Sequence, residues 1–142
     1  MLTIITGAPC SGKSTYARQY AKPDDIVVDF DHIAQALGSQ VSHGHTDPTA
    51  TVASRAWYAA VCEAIAQHRK GYRAWIIDTA PNENRRRQYE AAGARFLTYT
   101  AEPGELHRRA AEDRPPSWHH RIDQWLASQG RHDPQPRPRT RW

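Results

Sequence analysis

Gly7-Ala8-Pro9-Cys10-Ser11-Gly12-Lys13-Ser14 is the stretch on which the fold turns. It fits G-x-x-x-x-G-K-[S/T] and lies where that pattern has physical meaning, between a short apolar run and a helix-forming one. Ahead of it, Leu2-Thr3-Ile4-Ile5-Thr6 is continuous and β-branched, the signature of a buried strand that ends at Gly7. Phosphate oxygens are approached by backbone N–H groups, and a loop with bare Gly7 and Gly12 curls tightly enough to present them. A helix opening near Lys13 turns its positive dipole end to the same point. Gly7, Ala8, Pro9, Cys10, Ser11, Gly12, Lys13, Ser14 and Thr15 are therefore expected to cradle the phosphates of ATP or GTP. Within that cradle Lys13 is expected to bridge the β- and γ-phosphates, the Ser14 hydroxyl to ligate Mg²⁺ and Thr15 to touch the α-phosphate. Cys10, at the apex, reads as a small filler residue, with a reactive thiol as the alternative.

Further along, Ile26-Val27-Val28-Asp29 and Ala74-Trp75-Ile76-Ile77-Asp78 are short apolar runs ending in aspartate, and Arg95 to Tyr99 reads as a fourth strand. Helix-length segments separate them: Lys13 to Ala21, Asp31 to Leu37, Pro48 to Arg69, Asn82 to Ala92, Pro103 to Asp113 and Trp118 to Ala127. Continuous apolar strands alternating with helices predict an α/β fold, with a parallel sheet covered on both faces. Val52, Ala56, Trp57, Ala60, Val61, Ala64 and Ile65 recur at helical spacing, which predicts the core-facing stripe of the long helix. The polar stretch Gly38 to Asp47 falls near the carboxyl end of the second strand, where open α/β sheets bind ligands.

At 142 residues the chain suits one domain. Two cysteines, Cys10 and Cys62, are too few for a disulfide framework, and no run approaches the ~20 apolar residues of a membrane span. The expectation is a soluble, cytoplasmic protein without a membrane partner. Of the net charge of +4, Arg131, Arg137, Arg139 and Arg141 against Asp133 supply +3, so residues 1–130 read as a near-neutral folded domain. Residues 131–142, rich in proline and arginine, read as a mobile basic tail.

A phosphate loop alone does not name a reaction, so the carboxylates and arginines near the strand ends carry the rest. Asp29-Phe30-Asp31 follows the second strand. Asp31 is placed to accept the proton of an attacking hydroxyl, Asp29 is the other candidate for that role, and an Asp31 N-cap is the alternative. Asp78 is placed to meet Mg²⁺ directly or through water, or else to cap the following turn. Arg108, Arg109 and Arg114 suit either a lid that brings arginine to the transferring phosphate or an ordinary charged helix face. Arg85-Arg86-Arg87 reads as a solvated face or as a contact to an acidic acceptor. His43 and His45 read as lining an acceptor pocket rather than holding zinc, since no closed ligand set accompanies them.

From Leu2 to Ala127 these residues resemble the kinase domains of phage-type polynucleotide kinases and their small P-loop relatives, the zeta-toxin-like kinases among them. The resemblance rests on the P-loop followed by Thr15-Tyr16-Ala17-Arg18, on the strand leading to Asp31, and on Ile76-Ile77-Asp78-Thr79 with Asn82 and Arg85-Arg86. It extends to Glu105-Leu106 with Arg109, and to Arg114 as a second lid arginine shifted by one residue. It implies a kinase-type P-loop fold: a three-layer sandwich, four strands in order 2-3-1-4 and a helical lid. It also implies ATP (or GTP) and Mg²⁺ as cofactors and Asp31 as the base. Two positions depart from the pattern. Ala34 stands where the polynucleotide kinases carry an arginine for nucleic-acid phosphate, and Ala80 where an asparagine is expected. The expected function is phosphoryl transfer to a hydroxyl of DNA or RNA, at a 5′ end or a modified base. A small-molecule kinase and a partner-dependent ATPase module are the alternatives.

Overall fold

The computed structural model describes residues 1–114 and 116–129. The proline- and arginine-rich stretch 131–142, with Trp142, lies outside them. Four strands, β1 (Leu2–Gly7), β2 (Ile26–Val28), β3 (Ala74–Ile77) and β4 (Arg95–Tyr99), alternate with six helices. These are α1 (Lys13–Tyr20), α2 (Phe30–Ala36), α3 (Asp47–Arg69), α4 (Glu83–Ala91), α5 (Pro103–Asp113) and α6 (Ser117–Gln129). The sheet is wholly parallel, in the order β2-β3-β1-β4, as expected. β1 is central, with Ile4 opposite Ile76 on one side and Phe96 on the other, and all six of its residues are buried.

The period-two alternation of strands sorts the core into two faces. Leu2, Ile4, Val28, Ala74 and Ile76 meet Val61, Ala64 and Ile65 of α3 and Tyr89 of α4. Ile5, Trp75, Ile77 and Tyr99 point the other way, onto Ala17 of α1. Full burial of an aliphatic side chain contributes about 1.5–3 kcal/mol, so the short strands hold through what covers them. A third cluster joins Leu106 and Ala110 of α5 and Ile122 and Trp125 of α6 to Ala8, which fixes the two last helices over the glycine-rich loop.

The expected stripe of α3 needs one correction. Val52 is 54% exposed, and Ala53 is buried in its place. Successive residues of a helix are rotated by about 100°, and the phase that buries Val61, Ala64 and Ile65 carries Ala53, not Val52, toward the core. α2 starts at Phe30 with Asp29 as its N-cap, the Asp29 carboxylate accepting from the Asp31 amide at 3.1 Å. The cap thus falls one carboxylate earlier than the alternative reading had it, which leaves the Asp31 side chain for other contacts. Among the described residues no helix is long and apolar enough to cross a membrane.

Candidate active site

Because the strands are parallel, Gly7, Asp29 and Asp78 all emerge at the same edge of the sheet, the edge at which such folds bind ligands. A cleft of about 1070 Å³ opens there, and it is lined by residues 9–15 of the loop together with all three expected carboxylates.

The loop owes its path to a few torsions. Gly7 has φ 132°, and a Cβ there would lie 1.7 Å from the Tyr99 carbonyl oxygen, so β4 leaves room for nothing larger. Gly12 has φ 94° and caps α1 without any side-chain hydrogen bond, so the first-turn amides of α1 keep their donors. Cys10, with φ 63°, is the one described non-glycine residue in the left-handed region. It packs against the α5–α6 cluster, in keeping with the filler role. Lys13 is buried, and its ammonium donates to the Gly7 and Ala8 carbonyls at 3.0 and 2.6 Å. Burial lowers its pKa to about 8, opposed by the nearby Cys10, Asp29 and Asp31. A second recess of about 210 Å³ lies between Ser11, Gly12, Thr15 and Arg109.

The three carboxylates differ in what they already hold. Asp78 Oδ2 accepts from Arg85 Nε at 2.7 Å and from the Tyr89 hydroxyl at 2.9 Å, and Oδ1 lies 3.4 Å from Arg85 Nη2. Asp78, expected near magnesium directly or through water, is thus paired with Arg85 and Tyr89 in this structure. Arg85, expected on the acceptor, is committed to that pair and to the Ala80 carbonyl while lying over the Trp57 ring at 5.6 Å. Asp29 is 4% exposed, and its Oδ2 has no hydrogen-bond partner among the described residues. Magnesium binds through one or two carboxylates plus substrate phosphates. A buried carboxylate oxygen without a hydrogen bond, lining one cleft with the Ser14 hydroxyl, suits that ion, and Asp78 lines the same cleft. Among the described residues no three His, Cys, Asp or Glu side chains are grouped to hold a metal ion by themselves.

Asp31 is clasped from two sides. His43 Nδ1 lies 2.8 Å from its Oδ2 and His45 Nε2 lies 2.8 Å from its Oδ1. Burial pushes the carboxyl up, but the hydrogen bonds from His43 and His45 outweigh it and hold the group below the usual carboxylate range. Both histidines come from residues 38–46, the polar connection between α2 and α3, and Gly44 at φ 66° turns the chain between them.

The final helices bring the expected arginines. Arg109, held by Glu105 at 2.8 Å, donates to the Cys10 carbonyl at 3.3 Å. Arg114 lines the cleft, with its guanidinium 5.3 Å from the centre of the Trp118 ring. Arg108 is exposed and pairs with Glu105 and Glu112, and Arg87 pairs with Glu83 in the same way. Arg86 lies over Phe96, so of the triple arginine only Arg85 reaches the cleft. His119 stacks on His107 at 4.9 Å. Tyr89 escaped the sequence reading, although its spacing of four from Arg85 sets both residues on one face of α4 and so both on Asp78.

A parallel 2-3-1-4 sheet, a glycine-rich loop with its buried lysine, and an arginine-bearing helical cover define a P-loop nucleotide-binding protein of the kinase type. The chain belongs to the AAA domain family AAA_33, whose model matches residues 2–129. Its fold is similar to a chain of the Pnkp1/Rnl/Hen1 RNA repair complex, with a TM-score of 0.67 and 19% identity over 98% of this chain and 48% of that one. A chain in a second structure of the Pnkp1/Rnl/Hen1 complex gives a TM-score of 0.56 and 21% identity over 76% and 38%. The chain therefore spans about half the length of these neighbours or less, and the likeness is one of fold. No curated protein matches it.

Proposed function

We propose that the chain is an ATP-dependent phosphotransferase that moves the γ-phosphate to a hydroxyl held at the Asp31 end of the cleft. One observation carries this: a single cleft joins the loop and Lys13 to the clasped Asp31, with Arg114 at its wall. In this reading the loop amides and Lys13 bind and neutralise the triphosphate. Ser14 and Asp29 would hold Mg²⁺, which supplies further charge neutralisation at the phosphates. Arg109 and Arg114 meet the charge that develops on the transferring phosphoryl group. The Asp31 centre receives the hydroxyl proton.

For the acceptor, the reading is a nucleic-acid hydroxyl, at a 5′ end or on a modified base. The fold shared with chains of an RNA repair complex supports it. A small-molecule acceptor is the second reading, favoured by Ala34, which is fully buried and offers the cleft no cation for a neighbouring phosphodiester. The test is γ-labelled ATP with a panel of acceptors: DNA and RNA with free 5′-hydroxyls, hydroxymethylated DNA and nucleosides. Label on a polynucleotide, with acceptor affinity falling steeply as salt rises, supports the first reading. Label confined to nucleosides supports the second. Hydrolysis that needs a protein partner, with no hydroxyl labelled, would make the chain an ATPase module instead.

A further inference from the structure

Resting on the phosphotransferase reading, we propose that the atom taking the proton from the attacking hydroxyl is His43 Nε2, and that Asp31 orients this imidazole. The two histidines on Asp31 are not equivalent. The His45 side chain is 2% exposed and spends both ring nitrogens, Nε2 on Asp31 Oδ1 and Nδ1 on the Ser39 hydroxyl at 2.7 Å. Its ring also lies against Phe30, with centroids 5.8 Å apart. His45 is a fixed strut. The His43 side chain is 21% exposed, lines the cleft and spends only Nδ1. Its Nε2 has no hydrogen bond among the described residues.

The carboxylate decides the tautomer. An ionised Asp31 only accepts, so His43 Nδ1 carries the hydrogen and its lone pair stands on Nε2. A carboxylate behind an imidazole whose far nitrogen faces a hydroxyl is the arrangement that activates hydroxyl nucleophiles in unrelated folds. Asp31 itself is a poor proton acceptor here, because each of its oxygens already takes an imidazole N–H. His43 is held in place on its other side by Trp118, edge to face at 5.9 Å. The charged group in direct contact with it is Asp31 from α2; His45 holds the other oxygen of that carboxylate, and Arg114 and Arg121 lie over the Trp118 ring.

The step balances. The acceptor O–H bond breaks and its proton passes to His43 Nε2, while the oxygen forms a bond to the γ-phosphorus. The bond from that phosphorus to the β–γ bridging oxygen breaks, and the nucleoside diphosphate leaves with the electron pair. The imidazolium, paired with Asp31, then returns its proton to solvent.

Steady-state transfer from γ-labelled ATP to a 5′-hydroxyl oligonucleotide, a nucleoside and water tests this in wild type, His43→Ala, His45→Gln and Asp31→Asn. Nucleotide affinity, measured separately by titration, reports whether each variant is folded. Expected for His43→Ala is a fall in kcat of about 10²–10⁴ with nucleotide affinity unchanged. It should also recover part of its rate when free imidazole is added. Asp31→Asn should gain nothing from imidazole. A wild-type rate in His43→Ala, with Asp31→Asn inactive, would overturn the assignment and return the proton to Asp31. Wild-type protein that binds ATP yet transfers phosphate to none of the three acceptors would instead remove the phosphotransferase reading itself.

Discussion

Gly7 is constrained twice, by its left-handed torsion and by the Tyr99 carbonyl where a Cβ would fall. Gly7→Ala is therefore expected to cost more than the ~0.5–3 kcal/mol of an ordinary substitution, with thermal unfolding of the purified variant as the check. Lys13 is held charged in a buried position by two carbonyls, an arrangement that serves a polyanion rather than the fold. Lys13→Met should weaken nucleotide binding at least about tenfold, at a cost of roughly 1.4 kcal/mol, while the nucleotide-free protein unfolds at no lower temperature. Asp31→Asn should behave in the opposite sense, with nucleotide affinity within about twofold of wild type and turnover down by about 10²–10⁴. Isothermal titration beside a transfer assay separates the two. The loop and its lysine were legible because the motif is contiguous. The clasp on Asp31 was not, since His43 and His45 lie 12 and 14 residues away and converge only through the turn at Gly44. The pairing of Asp78 with Arg85 and Tyr89 was hidden for a related reason, in that a strand-end aspartate looks the same whatever the next helix brings to it.

At the level of elements, strand and helix order could be read because each strand is a short apolar run bounded by a breaker. Phase was harder. Val52 and Ala53 are both apolar, and only the packing of α3 decides which of them faces inward. The edge strand β2 has only three residues, and the carboxylate just ahead of it compensates. Asp25 accepts from Trp75 Nε1 at 2.8 Å and from Arg73 Nε at 3.1 Å, tying the start of β2 to β3. Desolvation pushes this carboxyl up, but the hydrogen bonds from Trp75, the Lys22 amide and Arg73 outweigh it and lower its pKa. A carboxyl lowered on folding adds stability above its unfolded value of about 3.9. That contribution is lost as pH falls through the lower folded value. Urea unfolding of wild type and Asp25→Asn across pH should show wild type the more stable near neutrality, with the gap closing only below about pH 4.

For the whole molecule, charge is distributed unevenly. Residues 1–130 carry a net charge near +1, and the four arginines beyond them dominate any long-range attraction to a polyanion. If the acceptor is single-stranded nucleic acid, ending the chain at residue 129 should reduce the slope of log K against log salt by about 3, at roughly 0.7 for each phosphate that an arginine no longer neutralises. A nucleoside acceptor should be indifferent to the same truncation. Fluorescence anisotropy over a salt series distinguishes the cases.

The α5–α6 pair shares its apolar cluster with Ala8, and the Trp125 indole reaches the Thr79 carbonyl at 3.4 Å. A rearrangement of that pair when a triphosphate enters would move this indole toward or away from water. Its emission would then shift in colour and become more or less open to quenching by iodide. The chain thus contains its own optical gauge of closure, and Trp125→Phe supplies the blank against which the remaining tryptophans are subtracted.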